Sequence, residues 1–208
     1  MTKSNQKLFF IGLSLAHAAT DETGIAIIDN NLNIIRVDKV YKLNDIKFFL
    51  DTLSGKNASI IAADIPLNQV FLIGKWRQEL KHYKSLTIGN HIQSTQSWAK
   101  RQSTRGSELC TELIAEGYKV IRYNYHYSKM AMGLCTPLQE NSPMACKYLQ
   151  EMLKQKLGIE GFSSNMLSMS ALKALIGAYI AWQTEHGEIN KDFKQINKFE
   201  NLPVYSGF

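Results

Sequence analysis

Cysteine and proline are scarce in this chain, with three and four residues respectively among 208. Cys110, Cys135 and Cys146 are separated by 24 and 10 residues, with no Cys-x-x-Cys and no histidine at ligand spacing. That pattern excludes an ordinary structural zinc site, and an odd count without compact spacing suits a reducing, cytoplasmic setting. There is no Gly-x-Gly-x-x-Gly, no Walker loop and no hydrolase elbow around a serine, so nothing indicates a nicotinamide site, a P-loop or a serine nucleophile. Long apolar runs are also few. The segment MLSMSALKALIGAYIAWQ, 166–183, carries a single charge, but it contains Ser168, Ser170 and Lys173 and is rich in alanine. It reads as a buried helix and not a membrane span. The opening MTKSNQKLFFIGLSLAHAAT joins a short basic run to apolar residues. Its apolar core is short and the residues after that core alternate, so a strand is preferred to an export signal.

What is present is an ordinary globular composition, 45% hydrophobic and 20% charged, sized for one core. The net charge of +6 is localised. Within 75–105, Lys75, Arg77, Lys81, Lys84, Lys100, Arg101 and Arg105 face a single acid, Glu79, whereas basic and acidic residues balance on either side. A confined excess of this kind points to a phosphate-bearing partner, with a solvated helical face as the plain alternative.

KLFFIGLSLA, TGIAIID and LNIIRVDKVY read as three strands, the last two joined by an Asp29-Asn30-Asn31 turn. Asn44 or Asp45 caps a helix whose Ile46, Phe49, Leu50 and Leu53 share one face and whose Gly55 ends it. SIIAAD (59–64) returns as a strand parallel to the sheet and ends at a lone acid before Ile65-Pro66. KWRQELKHYKSL reads as a basic helix. A further helix runs to Glu116, burying Leu109, Leu113 and Ile114 with Gly117 as its cap, and YKVIRYNY (118–125) forms a fifth strand. HYSKMAMGLCTPLQENSP reads as a long connection placed to approach a ligand. Two helices come next, one from Pro143 to Gly158 and one over 168–185. The expected fold is a single α/β domain over 1–208, a mixed five-stranded sheet of three antiparallel then two parallel strands, flanked by helices. Its strand ends at Leu13-Ser14, Asp64 and Tyr123-Asn124 gather along one edge, where such sheets place ligands.

This order is that of the ribonuclease-H-like fold. IGLSLA with TGIAIID, IIAADIPL, STRGSELCTELIAEGYKVIRYN and SALKALIGAYIAW together resemble the DUF429 family, whose members are taken to be nucleases. The resemblance keeps the family's acid at Asp64 but puts Ser14, Arg122, Asn124 and Lys173 where the family presents acids or, at Asn124, a proline. Two-metal hydrolysis needs several carboxylates around ions about 3.5–4 Å apart, so Asp64 with Ser14 implies no cofactor or weak Mg²⁺ or Mn²⁺ binding.

Asp64 and Ser14 are therefore the candidate catalytic residues, with Asp64 as the candidate metal ligand. Lys173, Arg122, Arg101, Arg105, Lys81 and Asn124 are candidate ligand-binding residues. Trp76, Tyr83, Trp98, Tyr123, Tyr125 and Tyr127 are candidate stacking surfaces. Lys173 either points into the cleft, where it would meet Asp64, or carries its ammonium to solvent along its stem, and Arg122 is balanced in the same way; an ion pair of either with Asp64 would fill the site in place of metal. His17 with Asp21 and Glu22 could supply substitute groups, and His91 and His126 are possible proton carriers. Three functions remain open: binding of nucleic acid or a nucleotide with weak or absent catalysis, metal-dependent nuclease activity at Asp64, and a scaffold making protein contacts through Leu202–Phe208 and residues 123–127. Oligomeric state is not readable from the sequence.

Overall fold

The computed structural model describes residues 8–16, 21–52, 59–65, 105–106, 108–187, 193–199 and 202–207. The first three strands, β1 (Phe9–Ser14), β2 (Thr23–Ile28) and β3 (Ile34–Val40), form the antiparallel meander that their apolar runs predict. Asp29 closes the turn between β2 and β3, its Oδ1 accepting the backbone N–H groups of Asn31 and Asn33 at 2.9 Å each. Helix α1 (Leu43–Asp51) begins where Asp45 accepts the N–H of Lys42 at 3.1 Å, so Asp45 caps it from inside its first turn. Strand β4 (Ser59–Asp64) then enters parallel to β1, and β5 (Lys119–Tyr123) parallel to β4.

These five strands lie in the order β3-β2-β1-β4-β5, an open α/β arrangement of ribonuclease-H-like type. The sheet then continues beyond the expected five. Strands β6 (Phe193–Phe199) and β7 (Leu202–Gly207) form a hairpin whose β7 pairs parallel with the end of β5, giving seven strands among the described residues. The tail expected to make protein contacts is thus built into the sheet.

One face packs on helix α5 (Met169–His186) and on α4 (Pro143–Leu157); the other packs on α1 and helix α2, 108–115. Helix α4 carries the expected ends, with Ser142 as N-cap and Gly158 in the left-handed conformation, and α5 is closed in the same way by Ser168 and Gly187. In α2, Leu109 and Leu113 are buried as expected, but Ile114 is 44% exposed because it falls one position off that face. The connection expected to start at residue 126 instead opens with a short helix, α3 (Tyr125–Ala131). No helix among the described residues is long and apolar enough to cross a membrane.

Helix α5 lies unusually close to the sheet. A Cβ on Gly12 would stand 1.8 Å from the carbonyl oxygen of Ala174, and one on Gly24 would stand 2.0 Å from that of Ser170. Bare backbone on both sides lets the layers meet at that spacing. By contrast, Ser128 in α3 is fully buried and its hydroxyl has no hydrogen-bond partner among the described residues. A buried polar group without a partner costs about 1–3 kcal/mol. Ser128→Ala is therefore expected to raise stability by about 1 kcal/mol in urea denaturation, and a loss of stability would show that the hydroxyl is satisfied.

Candidate functional site

Side chains alternate across the sheet, so strand register fixes which residues can meet. Ser14 pairs with Asp64, and Asp64 with Tyr123. All three lie on the α5 face, in line with Phe10, Ala62 and Ile121, which belong to the core under that helix. They form a row at the carboxyl ends of the three parallel strands. Ser14 and Tyr123 are buried and Asp64 is partly so.

The chain then turns at Asn124 into α3, and this turn places the neighbours of Asp64. The first residue of α3, Tyr125, donates its backbone N–H to Asp64 Oδ1 at 3.2 Å. Tyr123 passes beneath α5 and donates its hydroxyl to the carbonyl of Lys173 at 2.9 Å. The Tyr125 ring is flanked by two ammonium groups, Lys173 Nζ at 4.5 Å and Lys129 Nζ at 4.9 Å from its centroid. Such cation–ring contacts are favourable by roughly 0.5–2 kcal/mol. Both lysines also converge on one carboxylate oxygen, Glu140 Oε1, at 3.4 Å from Lys129 and 3.6 Å from Lys173. Glu140 arrives on the connection between α3 and α4.

The electrostatics follows from this packing. Burial, with the like charge of Glu140, pushes the Asp64 carboxyl up to about 6, against the pull of the Tyr125 N–H and Lys173. Burial opposes ionisation of Glu140 too, but there Lys173 and Lys129, helped by His126 and the Tyr125 hydroxyl, win and hold it below the usual range. Desolvation and the two lysines keep His126 below its ordinary value, although Glu140 pulls the other way. Burial and the Glu140 charge push the Tyr125 hydroxyl upward, so it remains a neutral donor. The cluster thus contains one acid held ionised, one acid raised to about 6, and two ammonium groups.

The sequence-derived candidates divide accordingly. Asp64, Ser14 and Lys173 come together, but Lys173 pairs with Glu140 and not with Asp64. Arg122 does not join them. It is 1% exposed and registers with Ala63 and Val204, on the face opposite Asp64 and Tyr123. The residue count along β5, one step from Tyr123, turns it away. Asn124 lies at the turn, its carbonyl accepting from the N–H of Ser128 at 3.0 Å. Arg105 sits at the same sheet edge, its guanidinium donating to the carbonyl of Ala16 at 3.3 Å. Tyr123 and Tyr125 are buried, so they support the side chains around Asp64 instead of offering stacking surfaces or a contact face for a partner protein. Glu22 lies on the α5 face near that helix's start and is bonded to Ser170, while Asp21 is partly buried. Lys81, Arg101, His17, His91, Trp76, Tyr83, Trp98 and the side chain of Tyr127 lie outside the described residues.

Glu140, Lys129 and the positioning role of Tyr125 were not read from the sequence. The available signal was Glu140 in TPLQENSP, the single acid of the connection already expected to approach a ligand.

No protein-family model matches this chain, and comparison with curated proteins finds no match either. The fold is ribonuclease-H-like, and its nuclease chemistry would require divalent ions held by carboxylates. The residues present do not fit that group: Asp64 is one carboxylate beside a hydroxyl, Glu140 is committed to two ammonium groups, and no set of three His, Cys, Asp or Glu side chains among the described residues is arranged for a metal. A lysine a few ångströms away opposes a divalent cation by several kcal/mol at low effective dielectric, roughly 332/(εr) per unit charge.

Proposed function

We propose that the chain is a divergent relative of the DUF429 proteins that binds a phosphate-bearing ligand of nucleic-acid chemistry at the carboxyl edge of β1, β4 and β5, with no cofactor or only weak Mg²⁺ or Mn²⁺ binding. One observation carries the reading. Lys129 and Lys173 already hold an oxyanion between them, the Glu140 oxygen at 3.4 and 3.6 Å. A phosphate oxygen presents the same charge and acceptor geometry, and two ammonium groups with three donors each suit it. Arg105 extends positive charge along that edge, and Arg101 and Lys81 are proposed to continue it. In this reading Asp64, whose carboxyl is raised to about 6 and which feels Lys173, exchanges a proton with the bound ligand, with Ser14 next to it as a hydroxyl partner.

Calorimetric titration with ribose 5-phosphate and with a short single-stranded oligonucleotide tests this. Binding should weaken as salt rises, and Lys173→Met and Lys129→Met should each lower affinity about tenfold, equivalent to about 1.4 kcal/mol. Mg²⁺ should bind the intact protein with a dissociation constant above about 1 mM. Affinities unchanged in both lysine variants would overturn the reading. Tight stoichiometric Mn²⁺ uptake that disappears in Asp64→Asn would replace it with metal-dependent hydrolysis.

A further inference from the structure

We propose that a second copy of this chain pairs with β3 edge to edge, antiparallel and centred on Val37, joining two sheets across a two-fold axis. The pairing is independent of the phosphate reading and shares no residue with it. Strand β3 is the outer strand of the sheet, with β2 on one side. Its other side is taken at the start, where Ile34 donates its N–H to the carbonyl of Glu160 at 2.8 Å and Glu160 donates its own to that of Leu32 at 3.0 Å. Among the described residues, no strand or bridge pairs with that side from Ile35 onward.

Such an edge is a template for another strand, and proline and lysine commonly guard it. Strand β3, of sequence IIRVDKV, has no proline, and its one lysine, Lys39, is held by Glu22 of its own chain, Nζ to Oε2 3.2 Å. What remains is a cation and an anion two residues apart on one face, Arg36 and Asp38. Their side chains lie 3.1 Å apart and stay 46% and 44% exposed, and the Arg36 guanidinium sits 4.0 Å over the Phe49 ring on the α1 side.

These charges choose both partner and register. In an antiparallel pair, directly opposed residues share a face with Cβ atoms about 4.5–5.5 Å apart, and like charges so opposed repel. Centring on Val37 sets Arg36 opposite Asp38 of the second copy, and Asp38 opposite its Arg36, so four charges alternate in sign around a square. Centring one residue either way, on Arg36 or on Asp38, sets like charges face to face. With Val37 at the axis the ladder runs from Ile35 to Lys39, and the Glu160 bridge, at Asn33, lies just outside it. Beside the same edge, Tyr41 and Phe48 are 45% and 73% exposed and line a cavity of 360 Å³ together with Arg36 and Asp38. A two-fold axis keeps α1 of both copies on one face of the joined sheet, so covering these rings adds the apolar burial that a five-residue ladder lacks.

Sedimentation equilibrium of the full chain tests the pairing. The unaltered protein should dimerise with a dissociation constant of about 1–50 µM. Amide exchange at residues 35–39 should slow as its concentration rises through that range. Arg36→Asp and Asp38→Arg should each weaken association more than tenfold, because each variant opposes charges of one sign. An equimolar mixture of the two should associate again as a mixed dimer, acids facing bases, which misfolded variants could not do. A monomer at about 300 µM, exchange at 35–39 that ignores concentration, or a dimer that both variants retain would overturn the pairing. A mixture no more associated than its two components would overturn it as well.

Discussion

Gly12→Ala should cost the protein much of its stability. The new methyl carbon would stand 1.8 Å from Ala174 O, 2.4 Å from Ala178 N and 2.8 Å from Ala174 C. All three are backbone atoms of α5, so no rotamer change can relieve the overlap. The helix must lift from β1, and because Gly24 holds the same helix at Ser170, it must lift along much of its length. Overpacking in a core usually costs about 1–3 kcal/mol, since side chains give way; where only backbone can move, losses above about 4 kcal/mol are expected. That is comparable to the whole stability of many domains, about 5–15 kcal/mol. Far-ultraviolet circular dichroism during urea denaturation would measure it. Gly187→Ala is the control: nothing lies within 4 Å of its added carbon, and only its φ of +65° resists substitution, for a cost of about 1 kcal/mol. If the two variants melted together, α5 would not be seated on β1 as described.

Asp64→Asn is expected to act in the opposite direction, stabilising the protein above neutral pH. Folding lifts the Asp64 carboxyl from its ordinary 3.8 to about 6. For an acid raised in this way, the folded state binds the proton more tightly than the unfolded state does. Its favourable contribution is complete below about pH 4 and is lost as pH rises through about 6. The difference corresponds to about 3 kcal/mol, the cost of keeping an ionised carboxylate at this position at pH 8. Asparagine retains an acceptor for the Tyr125 N–H and carries no charge. Urea denaturation should therefore show Asp64→Asn more stable by about 2–3 kcal/mol at pH 8 and nearly equal to the unaltered protein at pH 4. The same difference at both pH values would mean that Asp64 does not titrate in this range. A residue that lowers stability at working pH is what a functional site commonly contains.

Much of the scaffold was legible because its signals are local. Alternation and continuous apolar runs mark β1, β2, β4 and β5, serine and glycine mark the ends of α4, and apolar composition marks α5. The hairpin of β6 and β7 was missed for equally physical reasons. Its register shifts between Gln195 and Asn197, which breaks the two-residue period, and Pro203 lies inside β7, where proline argues against a strand. Helix α3 has seven residues before Gly133 and is too short to show helical periodicity.

The site was legible where it depends on a strand end and obscure where it depends on tertiary placement. Asp64 was marked by its position between an apolar run and Ile-Pro. Arg122 was misplaced because proximity to a strand end was considered without the parity that separates it from Tyr123. Glu140 could not be assigned to Asp64 at all, since nothing local in a connection 76 residues later says where its side chain will come to rest.

The glycine contacts beneath α5 also separate the side chains around Asp64 into two groups. Asp64, Tyr123 and Lys173 share one rigid frame, because helix and sheet touch through backbone and have no compressible layer between them. Glu140 is outside that frame, on a connection without helix or strand. In the phosphate-binding reading proposed above, it is the carboxylate that an entering anion would have to displace from the two ammonium groups.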